Sequence, residues 1–160
     1  MMLKSEEAEG KAPPERTPEE ALALKLWVVL SRARASVARV ADADMGRHDL
    51  SPGEFGILEA LYHKGPMLLG EVQRKILVSS GGVTYLVDRL AQNGLVERQE
   101  CPGDRRARYA ALTPAGRELM DRIFPSHVEA IRQAMSVLSN EEKEQAIGLL
   151  RKLGLSLKES

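Results

Sequence analysis

Residues 69–112, LGEVQRKILVSSGGVTYLVDRLAQNGLVERQECPGDRRARYAAL, decide the fold. Leu69, Val72 and Ile76 fall at i, i+3 and i+7, one apolar stripe on a short helix. After Val78, the hydroxyls of Ser79 and Ser80 suit the start of a second helix. Val83, Leu86, Val87 and Leu90 then repeat at i, i+3, i+4 and i+7. Asn93-Gly94 ends that helix, because glycine takes the left-handed C-terminal position at little cost. A strand is expected over 95–100, a turn at Pro102-Gly103-Asp104 and a return strand over 108–112. A further short strand near 66–68 would complete the sheet. Helix, turn, helix and a hairpin with a basic tip is the order of a winged helix-turn-helix.

The polar face of the second helix carries the functional expectation. With Val83 at the centre of the buried face, Gly81, Tyr85, Asp88, Arg89 and Gln92 point the other way, and Thr84 lies on the flank. Gly81 and Gly82 each lower helix propensity by about 1 kcal/mol. Their bareness lets a helix N-terminus, whose backbone N–H groups favour anions, come close to a phosphate or base edge. The plainer alternative is a loose turn ahead of a later helix start. At the hairpin tip, residues 101–110 carry a net charge of +2. Asp104 can fix an adjacent guanidinium by charge-assisted hydrogen bonds, and a pre-aimed arginine on a projecting loop suits a narrow minor groove. Arg106 is assigned to the groove, Arg105 and Arg108 to phosphates. Ser79 and Ser80 are assigned to phosphates, and Gly81, Thr84, Tyr85 and Arg89 to bases or phosphates. A solvated charge cluster is the alternative for the tip.

At 160 residues, with 43% hydrophobic and 29% charged side chains, the chain is expected to be one globular unit with a real core. Aromatics make up only 4%, so aliphatic side chains must fill that core, which favours helices. No apolar run reaches the roughly 18 residues of a membrane span. The polar stretch from Met1 to Pro18 lacks the core of a signal peptide, so the cytoplasm and no membrane partner are expected. The net charge is zero, which excludes indiscriminate nucleic-acid binding but not a local basic patch. A single cysteine excludes an internal disulfide and zinc-ribbon spacing.

Residues 1–16 are rich in Glu, Lys, Pro and Gly and read as a mobile tail. Thr17-Pro18-Glu19-Glu20 is a helix start, with a threonine cap, proline at the first position and glutamate three residues on. The helix runs to about Ala43. Its apolar face (Leu22, Leu26, Val29, Leu30, Ala33, Val37, Val40) is widened by Leu24, Trp27 and Val28, which suggests burial beyond its own domain. Ser51-Pro52-Gly53-Glu54 repeats the start signal ahead of Phe55, Leu58, Leu61 and Tyr62. Thr113-Pro114 opens a further helix in which Pro125 should cause a kink or short break. Ser139-Asn140-Glu141-Glu142 caps a last helix carrying Ala146, Leu149, Leu150, Leu153 and Leu157.

The recognition stretch, with Asp104-Arg105-Arg106 in the wing and Leu112-Thr113-Pro114-Ala115-Gly116 after it, resembles the MarR family of bacterial transcription regulators. The likeness extends from about Pro18 onward. Tyr62-His63-Lys64-Gly65-Pro66, Ser80-Gly81-Gly82-Val83-Thr84-Tyr85 and Cys101-Pro102-Gly103-Asp104-Arg105-Arg106 also resemble the branch that represses quinone and hydroquinone detoxification genes. The resemblance implies a mostly α (α+β) winged helix-turn-helix with N- and C-terminal dimerisation helices. Residues 17–160 would form a single domain, 51–114 the DNA-binding unit, and 17–45 with 115–160 the helices that intertwine in a homodimer. Its partners would be a palindromic double-stranded operator, a second copy and a small aromatic or phenolic effector. Two recognition helices of such a pair reach successive major grooves.

For the effector, which the family holds between the dimerisation helices and the winged unit, the candidates are Trp27, Phe55 and Tyr62, with His48 as a hydrogen-bonding group. Each is more often core than ligand contact. Cys101 is a candidate redox sensor: Arg98, Arg105 and Arg106 favour its thiolate, while Glu97, Glu100 and Asp104 offset them. The alternative is an inert residue at a strand end. His48, His63 and His127 are scattered, with no nucleophile or carboxylate at short spacing, so no enzyme, cofactor or metal site is expected. Interfacial or solvent-facing imidazoles are the reading adopted. Repressor and activator remain open, and the rival class is a winged-helix module that binds acidic protein rather than a specific DNA.

Overall fold

The computed structural model describes residues 15–76, 80–101 and 104–156. The chain divides into two units, Met1–Ser36 and Val37–Ser160. The elements are α1 (Pro18–Gly46), α2 (Pro52–Lys64), β1 (Met67–Leu68), α3 (Leu69–Ile76), α4 (Ser80–Gln92), β2 (Val96–Cys101), β3 (Asp104–Leu112), α5 (Pro114–Ala134) and α6 (Asn140–Ser156).

In the first unit, Thr17 and Glu20 form the expected reciprocal cap: Glu20 N donates to Thr17 Oγ1 at 3.2 Å, and Thr17 N donates to Glu20 Oε2 at 2.8 Å. The apolar residues that follow are exposed within this unit, with Trp27 at 66% and Leu22, Leu26 and Val29 likewise outward. Residues 1–14, most of the expected tail, lie outside the described residues.

The second unit holds the core. The α1 helix runs three residues past the expected Ala43, and Asp49, at φ 58, turns the chain toward α2. Aspartate tolerates this left-handed conformation better than most residues. Ser51 and Glu54 then close a full capping box on α2. Phe55, Ile57, Leu58 and Leu61 of α2 pack with Val72 of α3, with Val83, Val87 and Leu90 of α4, and with Met120 and Ile123 of α5. The three-stranded antiparallel sheet has the order β1-β3-β2, with Met67 opposite Ala110 and Val96 opposite Leu112.

Three expectations need correction. The first strand of the hairpin is shifted by one residue, because Leu95 N bonds back to Leu90 O and still closes the helix end. The return strand begins at Asp104 rather than Arg108, so Asp104 belongs to the ladder opposite Cys101 and not to the turn. This register also sets Glu100 opposite Arg108. An irregularity between Glu100 and Cys101 takes up the three additional residues 105–107 of β3. Lastly, Pro125 does not break α5, which is continuous from Pro114 to Ala134. Only one backbone donor is lost there; Ile123 is anchored in the core and the Ser126 hydroxyl donates to its carbonyl at 2.8 Å.

The last helix is different in kind. None of the α6 residues is buried in the chain, and Ile147, Leu149, Leu150, Leu153 and Leu155 all stand exposed, Leu149 at 70%.

Candidate nucleic-acid interface

The second helix of the motif is held from three sides. Its inward stripe, Val83, Val87 and Leu90, is buried. Its end is fixed by Gly94, at φ 71, where Gly94 N bonds to Ala91 O and Leu95 N to Leu90 O. Beyond that end, the Thr113 hydroxyl donates to Gly94 O at 2.6 Å and accepts from Gly116 N at 3.0 Å, while Thr113 N donates to Leu95 O at 3.1 Å. The Leu-Thr-x-x-Gly segment is thus a clasp between the first turn of α5 and the end of α4.

On the outward face, Thr84 is exposed and Tyr85 is 63% exposed. Asp88 accepts a hydrogen bond from Arg98 of β2 at 2.6 Å, so this face is tied to the wing sheet. Arg89 is half exposed and its Nε lies 3.0 Å from Glu54 Oε1. Thr84, Tyr85 and Arg89 therefore share the solvent side of α4, as their spacing predicts. Ser79 lies outside the described residues, as do the side chains of Ser80, Gly81, Cys101, Asp104, Arg105, Arg106 and Arg108. The backbone places Ser80 and Gly81 in the first turn of α4 and the three arginines on β3.

The residues named for an effector have varied settings. Phe55 is core and lies with its ring 4.4 Å from that of His127. The Tyr62 hydroxyl donates to Asp121 at 2.6 Å, which raises its pKa above 10.0, with partial desolvation second. His48 Nε2 is buried with no hydrogen-bond partner among the described residues. Trp27 lies in the first unit, beside a hollow of about 370 Å³ formed with Leu30, Ser31, Arg34 and Ala35.

Two residues that spacing did not join are also found together. Asp44, 2% exposed, bonds both Arg47 and His127, the latter at 3.1 Å. His127, expected to be an interfacial or solvent-facing imidazole, is mostly buried within the chain, and a carboxylate 83 positions away holds it. Burial pushes the Asp44 carboxyl up, but the hydrogen bonds from Arg47 and His127, helped by their charge, outweigh it and hold it below 3.8. A depressed carboxyl stabilises the fold above its unfolded pKa and loses that contribution as pH falls through the folded value. Stability attributable to Asp44 should thus be full above about pH 4 and drain away below it. Asp44→Asn should cost roughly 2 kcal/mol at neutral pH and flatten the acid limb of a stability-against-pH curve. An unchanged acid limb would show that the cluster contributes nothing.

A helix-turn-helix with a solvent-facing second helix, tied to a hairpin wing, defines a winged helix-turn-helix DNA-binding regulator. A model of the MarR family matches residues 48–107. The HTH-type transcriptional regulator MhqR of Bacillus subtilis (strain 168) is 43% identical over 136 residues, covering 85% of this chain and 94% of MhqR. The crystal structure of Sco3205, a MarR family transcriptional regulator from Streptomyces coelicolor in complex with DNA, superposes with a TM-score of 0.79 at 27% identity, over 92% of this chain and 93% of that one. BpsR of Bordetella bronchiseptica, whose DNA binding is regulated by 6-hydroxynicotinic acid, superposes with a TM-score of 0.73 at 25% identity, over 81% and 98% of the two chains. The chain belongs to the MarR family of transcriptional regulators. Among the described residues, no helix is long and apolar enough to cross a membrane.

Proposed function

We propose that the chain works as a homodimeric repressor in the cytoplasm, seated on a palindromic operator through α4 and the wing and released by a small aromatic or phenolic ligand. The observation that carries this reading is the outward face of α4. Thr84, Tyr85 and Arg89 stand on one side of a helix whose other side is buried, and a tyrosine 63% exposed serves no packing purpose in its own chain. Ser79, Ser80 and Gly81 would bring the helix N-terminus to a phosphate, Arg106 would enter the minor groove with Asp104 holding it, and Arg105 and Arg108 would take phosphates. The uncovered apolar residues of α6, and separately those in the first unit, suit a second copy of the chain. Phe55 and Tyr62 are the candidate ring contacts for such a ligand, and His48 Nε2, without a partner among the described residues, is the candidate hydrogen-bonding group.

The test is to select duplexes from a random library at near-physiological salt and sequence the bound fraction. An enriched inverted repeat is expected. Tyr85→Ala should lower affinity for that repeat by about tenfold or more without changing the melting temperature, since each good base contact is worth about 1–3 kcal/mol. Arg106→Ala should weaken binding and flatten its dependence on salt. Binding without an enriched motif would leave only an architectural or accidental affinity, and no binding at all would point instead to a module that recognises acidic protein.

A further inference from the structure

We infer that Glu54 is a positioning residue for DNA readout: one oxygen of its buried carboxylate caps α2, and the other aims Arg89 of the recognition helix. The inference rests on Arg89 being a DNA contact, as proposed above, and adds what orients it.

Glu54 is 1% exposed. A capping box needs only an acceptor at this position, and glutamine provides one without burying a charge. The capping work is done by Oε2 alone, which accepts from Ser51 N at 2.9 Å and from Ser51 Oγ at 2.7 Å. The charge is explained by the other oxygen, Oε1, 3.0 Å from Arg89 Nε. A buried carboxylate is costly unless paired, and Arg89 is the cation that pairs it. The ion pair at Nε holds the guanidinium of Arg89 beside the start of α2. The Arg89 side chain is 49% exposed, so a guanidinium held by Glu54 still offers surface to a guanine edge or a phosphate, which its planar fork of donors suits.

The neighbouring glycine makes the reach possible. A Cβ at Gly53 would come 2.7 Å from Leu86 Cδ1, so the first turn of α2 lies close against α4, and a larger residue there would make the Leu86 side chain turn aside. Leu86 is one turn before Arg89. The start of α2 and the reading face of α4 are therefore joined as one part.

The test compares Glu54→Gln, Arg89→Ala, their combination and Ser51→Ala for binding to the selected operator and to an unrelated duplex of equal length. Glu54→Gln keeps the cap acceptor and removes the charge. It should lower operator affinity about tenfold while leaving affinity for the unrelated duplex unchanged or raised, because a negative charge has been taken from the DNA-facing part. Combined with Arg89→Ala it should add nothing. Ser51→Ala, which weakens the cap but keeps the ion pair, should lower the melting temperature and leave selectivity intact. Equal weakening on both duplexes, or the same loss from Glu54→Gln with Arg89 already removed, would overturn the inference. Operator affinity unaffected by Arg89→Ala would overturn it too, by removing Arg89 from the interface, while an inverted repeat selected by the unaltered protein would leave the general DNA-binding reading standing. If Glu54→Gln does not fold, Arg89→Lys serves instead: it retains the charge but loses the fork, and unchanged selectivity would end the proposal.

Discussion

Leu149→Glu together with Leu153→Glu should turn the protein into a monomer and lower operator affinity on the order of a thousandfold, from the range of specific binding into that of non-specific binding. Both residues are exposed on α6, a helix with no residue buried in its own chain. In a monomeric protein, changes at such positions alter stability by no more than about 0.5 kcal/mol. A helix bearing Ile147, Leu149, Leu150, Leu153 and Leu155 outward is hard to reconcile with a lone chain in water. If the face is covered by a second copy, two buried carboxylates per protomer must separate the pair, and with it the two recognition helices that read successive grooves. Sedimentation at several concentrations decides the first step and operator titration the second. A double variant that sediments like the unaltered protein removes α6 from the interface.

Gly116→Ala should destabilise the fold by about 3 kcal/mol, a drop in melting temperature on the order of 10 °C. A Cβ at Gly116 would land on the carbonyl oxygen of Leu95, lie 3.0 Å from its carbonyl carbon and press Leu112 Cδ2 at 3.3 Å. The first two are backbone atoms, held in place because Leu95 O accepts from Thr113 N and Leu95 N donates to Leu90 O. The Leu112 side chain can give way, but the Leu95 backbone cannot. Gly148→Ala is the control: a Cβ there meets nothing within 4 Å, and in a helix the change should be neutral or mildly stabilising. Thermal melts of the two variants side by side check the expectation, and equal melting temperatures would refute it.

What the sequence disclosed was what short-range chemistry determines. The stripes on α3 and α4, the capping boxes at Thr17, Ser51 and Ser139, and the glycine at 94 are set by residues within one or two turns, and they stand where their spacing predicts. The positions of Thr84, Tyr85 and Arg89 on one face follow from the same periodicity. Missed were the pairings that only folding makes. The Ser51–Glu54 cap was legible, but nothing local tells that the second carboxylate oxygen reaches Arg89. Asp44 and His127 meet across 83 positions. The wing strand begins earlier than propensity suggests because cross-strand pairing, not residue type, carries it to Asp104. Pro125 is tolerated for a tertiary reason as well, the anchoring of Ile123 beside it.

The clasp at Thr113 has a mechanical consequence. Chain order separates the end of α4 from the start of α5 by an entire hairpin, yet a single hydroxyl bridges Gly94 O and Gly116 N. The two helices therefore meet at one shared anchor. A rotation at the start of α5 would act on the end of α4 directly, through these two hydrogen bonds, rather than by way of the long hairpin between them in the chain.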